Sequence, residues 1–229
     1  ARLGSDWLVS DCTAQGNATA GFAGKYGNVF TRCNAADNRS AGFALSNAAG
    51  LISQCCARNN DGPGISLGDT AVITECTIHG NGEEGIVSLN GQINVRGCHI
   101  SANDGVGIDT STSSSIEGCT VRENLGGGIL VHSRCRVVGN TVTHNALVLD
   151  SEDAGIEVMG GNNRIDSNQL ASNNIGIRCD AIPANDNIII RNTVSGSTGD
   201  DFLVDDTDNL LAPVRTSFIG AGPWDNFTP

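Results

Sequence analysis

The chain is 229 residues long, with 13 basic and 25 acidic side chains, a formal net charge of −12 and a single lysine, Lys25. A surface this acidic argues against nucleic acid as a partner, because affinity for phosphate rests on clustered Lys and Arg, and no apolar run approaches the roughly 18 residues of a membrane span. Thirty glycines and 24 asparagines stand against nine aromatic residues, yet the 39% apolar fraction is enough for one sizeable core.

Self-similarity at a fixed period decides a fold before local propensity does. A glycine followed by Phe or Ile recurs at Gly21, Gly42, Gly64, Gly85, Gly107, Gly128, Gly155 and Gly176, at intervals of 21, 22, 21, 22, 21, 27 and 21. A second register holds Cys12, Cys33, Cys55, Cys76, Cys98 and Cys119, then Asn140, Asn168 and Asn192, each with an apolar residue three before and two after. Five residues beyond each come Asn17, Asn38, Asn60, Asn81, Asn103, Asn124, Asn145 and Asn173, and the series ends at Ser197. The short alternating runs between these marks read as strands, since their period is two and none is long enough for a helix. Units of about 22 residues cannot close a core alone, so each must stack on the next. Successive turns are then about 4.8 Å apart, as in any sheet, with Ile and Val inside and Asn stacked at the corners.

Along the chain, Trp7 and Val9 already belong to the first rung, so a preceding segment or a second copy is expected to cover that end. Longer turns are expected around Ala146 to Ala154 and Ala181 to Asn187, both in the C-terminal half. After Gly199 the repeat fails, and Phe202, Leu210, Leu211, Phe218, Trp224 and Phe227 gather in a tail that reads as a cap. The division is repeats over 1–204 and a cap over 205–229.

The repeat of Gly-Ile-x-Val with an asparagine ladder resembles the right-handed parallel β-helix family, the pectate-lyase-like superfold, over roughly residues 6 to 204. The ending Pro223-Trp224-Asp225-Asn226-Phe227 is similar to that of a group of uncharacterised bacterial β-helix proteins. The resemblance implies an all-β, right-handed parallel solenoid of about nine to ten rungs. It leaves function open, because the superfold hosts polysaccharide lyases, hydrolases, epimerases, tailspikes and adhesins. The motifs of its enzymatic members are mostly missing: Gly199-Asp200-Asp201 is isolated, Arg164-Ile165-Asp166 lacks a lysine, and Tyr26, the sole tyrosine, lies many rungs from His132.

Six cysteines share one repeated position with asparagines, so they read as small buried core residues with free thiols rather than a disulfide scaffold. Alternation turns the second and fourth residues after each repeated glycine outward on one face. In the later rungs these are Asp109, Leu130, His132, Glu157, Met159, Arg178 and Asp180, a titratable patch beside the acidic stretch Asp150, Glu152 and Asp153. The carboxylates suit a pair of proton donor and acceptor, Glu157 with Asp180, with His132 and Arg178 stabilising charge and Asp109 and Met159 contacting substrate. Asp150, Glu152 and Asp153 offer hard oxygen ligands for calcium, although no cofactor is required.

From sequence the preferred expectation is a non-catalytic extracellular or cell-surface module, structural or adhesive, that stacks end-on with itself. The alternative is a polysaccharide-active lyase or hydrolase using the patch.

Overall fold

The structure, a computed structural model, describes residues 4–46, 50–146, 153–180, 184–205, 208–217 and 219–228. Asp150 and Glu152, two of the three residues expected to hold calcium, lie outside the described residues. Each turn of chain lays down three short strands; one such turn is Ser115–Glu117, Thr120–Arg122 and Ile129–Val131. Each strand pairs in parallel with its equivalent one turn earlier and one turn later, so Ile116 sits between Val95 and Val137. Among the described residues the result is a first sheet of ten strands beginning with Leu8–Ser10, a second of eleven beginning with Thr13–Gln15, and a third of nine beginning with Phe22–Gly24. The chain is thus an all-β parallel solenoid of about nine turns. Among the described residues no helix is long and apolar enough to cross a membrane.

Two corners of each turn are made by one residue in the left-handed region. Between the first and second sheets this residue is Asp11, Arg32, Gln54, Glu75, Gly97, Gly118, Gly139, Ser167 or Arg191, with φ from 52° to 66°. Between the second and third sheets Asp37, Asn59, Gly80 and Glu123 are among those that do the same. A left-handed residue reverses the chain sharply and leaves the next amide pointing along the axis, so a buried N–H must find an acceptor in the neighbouring turn.

The side chain directly after the corner supplies it. In the asparagine column from Asn17 to Asn173, each backbone N–H donates to the Oδ1 of the next asparagine at 3.0–3.2 Å, and each Nδ2 donates to the same oxygen at 2.7–3.1 Å. At the other corner Asn140, Asn168 and Asn192 repeat the arrangement. Earlier in that column cysteine sulfur accepts instead: the N–H of Cys33, Cys55 and Cys76 donates to the Sγ of Cys55, Cys76 and Cys98 at 3.3–3.4 Å. All nine cysteines are free, and burial pushes the thiols of Cys33, Cys135 and Cys179 up, the last to about 11. A third column, absent from the reading above, precedes the first sheet: Ser114, Cys135, Asn163, Asn187 and Asn209 each accept from the turn before.

The repeated glycine follows from the asparagine column. A Cβ at Gly107 would stand 2.7 Å from the Gly128 carbonyl oxygen, 2.6 Å from Val121 Cγ1 and 2.8 Å from Asn124 Nδ2, so any side chain would push the ladder apart. The interior is stacked Ile and Val, among them Ile52, Ile73, Val95, Ile116 and Val137 at 0–1% exposure. Phe22 and Phe43 stack at 5.1 Å in the early turns.

The tail joins the coil rather than only covering it. Leu210–Leu211 pairs with Ile188–Ile190 in the first sheet. Asn226 takes the next place in the corner column after Asn192, accepting its N–H at 2.8 Å and donating to the carbonyls of Ile189 and Ala212. Nearby, Asp166 is buried and accepts from Arg164 Nε at 3.0 Å, Ser167 Oγ at 2.8 Å, Arg191 Nε at 2.7 Å and Arg191 Nη2. Burial alone would raise this carboxyl, but the hydrogen bonds from Arg191, Ser167 and Arg164 outweigh it and hold the pKa down at about 2.

Asn103→Leu keeps the size of the side chain but strips Asn81 of its acceptor and Asn124 of one of its two donors, and is expected to destabilise by about 3 kcal/mol or more, read from the urea midpoint. Cys119→Asn extends the amide column by one place and is expected to change stability by less than about 1 kcal/mol in the same assay. The Asp166 cluster has a folded pKa below the unfolded value, so its stabilisation is present above about pH 4 and is lost as the pH falls towards 2, a change of roughly 1–2 kcal/mol allowing for the partly exposed arginines. Between pH 5 and 2 the wild type should therefore lose stability more steeply than Asp166→Asn.

Candidate functional site

The register of the third sheet places the expected patch on one outer face. Asp109 pairs with Leu130, Leu130 with Glu157, Glu157 with Arg178, and Arg178 with Leu203. These five side chains form one row along the axis, and His132, Met159 and Asp180 lie two residues further on in the same turns. Alternation accounts for the placement: Ile108, Thr110, Ile156, Val158, Ile177 and Cys179 point inward and are buried, so the residues between them face out.

Arg178 organises the C-terminal end of the row. Its side chain is 19% exposed; Nε donates to Asp180 Oδ1 at 2.7 Å, and Nη1 stands 3.7 Å from Glu157 Oε1. One guanidinium thus bridges carboxylates on its own strand and on the neighbouring one, which fixes the position of both. Two turns from Glu157, Asp109 is in a different environment. Burial pushes its carboxyl above the usual range, the charge of Glu84 adds to the rise, and His132 opposes it. The row therefore holds a carboxyl that keeps its proton more readily than usual at one end and an arginine-bound pair at the other.

Of the remaining expected residues, His132 is exposed and Met159 is 37% exposed at the edge of the face. Asp153 is half-buried where the chain re-enters the third sheet. Among the described residues no group of three His, Cys, Asp or Glu side chains is placed to hold a metal ion. Sequence reasoning missed Glu84, which acts on Asp109 from the preceding turn. It lies just before a repeated glycine, outside the outward positions counted from that glycine, and only the three-dimensional stacking of turns brings it near.

Both lengthened stretches of sequence connect in the chain to strands of this sheet. The long interval between Gly128 and Gly155 enters the strand Ala154–Val158, and the stretch 181–187 follows the strand Ile175–Cys179. Glu157 and Arg178 are carried on these two strands.

Solved structures with the same architecture include the A-module of mannuronan C-5 epimerase AlgE6 from Azotobacter vinelandii, with a TM-score of 0.70 and 16% identity over 82% of this chain. This chain spans 57% of that module's length. The AlgE4 A-module from the same organism has a TM-score of 0.52 and 13% identity, covering 98% of this chain and 74% of its own. Pectate lyase Pel9A has a TM-score of 0.52 and 11% identity, covering 90% and 68%. At these identities the likeness is one of fold. No curated protein matches the sequence. The model of the right-handed β-helix region matches residues 1–117 and 105–212, nearly the whole of the solenoid, and the chain belongs to that family.

Proposed function

We propose that the protein acts on a polysaccharide, with the outer face of the third sheet in the C-terminal turns as its site. The observation that carries this reading is the single row in which Asp109, with its raised pKa, stands two turns from an Arg178-bound Glu157. Two turns are about 9.6 Å at sheet spacing. Carboxyl groups with separated proton affinities at that distance suit a donor and an acceptor on opposite sides of a scissile bond with room for water between them. Asp109 is the donor, Glu157 the acceptor, and Arg178 with Asp180 holds Glu157 in place. His132 stands beside Asp109, where charge develops as its proton leaves. Relative to the sequence-based expectation, Asp180 moves from catalysis to positioning, because its Oδ1 is occupied by Arg178 Nε.

Three further facts support the reading. A solenoid face is long and open along its axis, which suits a polymer rather than a small molecule. Both lengthened stretches of sequence are joined in the chain to strands of this sheet. The structural neighbours named above act on mannuronan and pectate. A polymeric substrate of this kind agrees with an extracellular or cell-surface location. These observations support the polysaccharide-active reading over the non-catalytic, end-on assembling module. Calcium at Asp150, Glu152 and Asp153 remains an addition to the reading, and no step depends on it.

A panel of neutral and acidic polysaccharides, followed by reducing-end release and by the ultraviolet absorbance of new unsaturated ends, tests the proposal. Asp109→Asn and Glu157→Gln are each expected to lower turnover by about 10²–10⁴-fold with little change in thermal midpoint. A wild-type protein that leaves every polymer unchanged would overturn the reading.

A further inference from the structure

The outer face of the second sheet differs in composition from the rest of the surface. Across its nine strands from Thr13–Gln15 to Thr193–Ser195, neither outward row contains an aspartate or glutamate, in a chain that has 25 of them. The middle turns instead carry Arg58, His79, His99 and Arg122. Arg58 pairs in register with His79, His79 with Ser101, and Ser101 with Arg122, while His99 pairs with Thr77 and Thr120 in the adjacent row. Four basic side chains thus span three turn spacings, about 14 Å along the axis. Thr77, Ser101 and Thr120 add hydroxyl donors between them, around a shallow depression of about 400 Å³.

Most arginines of the protein are neutralised in ion pairs, as Arg32 is by Asp11, Arg96 by Glu117 and Arg164 by Asp166. Arg58, His79 and His99 have no ion pair among the described residues. Arg122 bonds Glu123 at 2.6 Å, at the corner. Asp37, which accepts from Gln15 and Asn59, and Glu75, which accepts from Gln54, are at the corners and not in the outward rows. At physiological ionic strength charges are screened over about 8 Å, so the potential above this face is set by its own residues and not by the net charge of the chain.

We propose that this face is a second binding surface, distinct from the row on the third sheet, for a linear acidic polysaccharide laid along the solenoid axis. Donors recurring at every turn match a polymer with an anionic group or hydroxyls on every sugar, and guanidinium groups are the side chains best suited to carboxylate and sulfate. Single-stranded nucleic acid is the other linear polyanion, but it binds through aromatic platforms, and the two rows hold no aromatic residue before Phe227 at the far end. The inference stands on the second sheet alone and does not depend on the proposed activity.

Binding of the purified chain to polygalacturonate, alginate and chondroitin sulfate, with dextran and single-stranded DNA for comparison, tests it by affinity electrophoresis and biolayer interferometry. Binding to at least one acidic glycan is expected at 50 mM NaCl, weakening at least tenfold at 500 mM. The triple variant Arg58→Gln, His79→Gln, Arg122→Gln should lose at least tenfold in affinity while keeping its thermal midpoint. Thr141→Glu, a single exposed substitution that places a carboxylate on the face, provides a second variant with the same expected direction should the triple variant fail to fold. The proposal is overturned by the absence of binding to every acidic glycan at low salt, by equal binding to dextran, by binding to DNA alone, or by full retention of glycan binding in a folded triple variant or in Thr141→Glu.

Discussion

A backbone amide left pointing along the axis at each corner, and the side chain that must receive it, is the constraint on which the solenoid depends. A left-handed corner residue makes the turn tight, the tight turn buries an N–H, and only a group of fixed length in the next turn can accept it. Asparagine does this twice over, since its Oδ1 takes both the backbone N–H and the Nδ2 of the previous turn while its own Nδ2 passes the pattern on. The period, the repeated glycine and the parallel register all follow. Gly107 is bare because Asn124 passes behind it, and Ile116 stands between Val95 and Val137 because the corners leave no freedom to slip. A one-residue slip would carry Ile116 to the surface and break both columns at once.

The same constraint separates the interior from the surface. With the columns holding the turns in register, each outward position needs only to be compatible with a strand, so charge can be arranged face by face. The third sheet gathers Asp109, Glu157 and Asp180; the first carries ion pairs such as Arg96 with Glu117; the second has no acid in either outward row. Net charge therefore describes this protein poorly. A total of −12 correctly indicates an acidic molecule, but it is spread over surfaces whose local signs differ.

What could be read in the sequence was what repeats. Eight glycines and two columns of corner residues fix the turn length, and from that the outward row Asp109, Leu130, Glu157 and Arg178 follows by counting. The third column was not legible, because the turns between the third and first sheets vary in length and Ser114, Cys135 and Asn163 share no residue type. Asn226 was missed for a related reason: it follows Asn192 by 34 residues, outside any repeat interval, and looks like part of an irregular tail. Counting placed Asp180 on the right face, but its bond to Arg178 and the effect of Glu84 on Asp109 depend on side-chain reach between turns, which period alone does not encode.

The cysteines show how tolerant a column is of the residue that fills it. From Cys33 to Cys98 sulfur accepts the corner amide at 3.3–3.4 Å, and from Asn140 onward an amide oxygen accepts it at 3.0 Å or less. Cys119 is the junction, donating its N–H to Asn140 Oδ1 at 2.9 Å while its own sulfur still faces Val95 O. A thiol fits because it is small and accepts weakly, yet it gives up the second bond that Nδ2 makes along the column. The turns from Asn140 to Asn192, where asparagine fills every corner column, are therefore the more strongly tied part of the coil. They are also the turns that carry the Glu157, Arg178 and Asp180 arrangement. Keeping the Arg178 guanidinium between Glu157 on one turn and Asp180 on its own requires a fixed spacing between those turns, and the asparagines at their corners supply it.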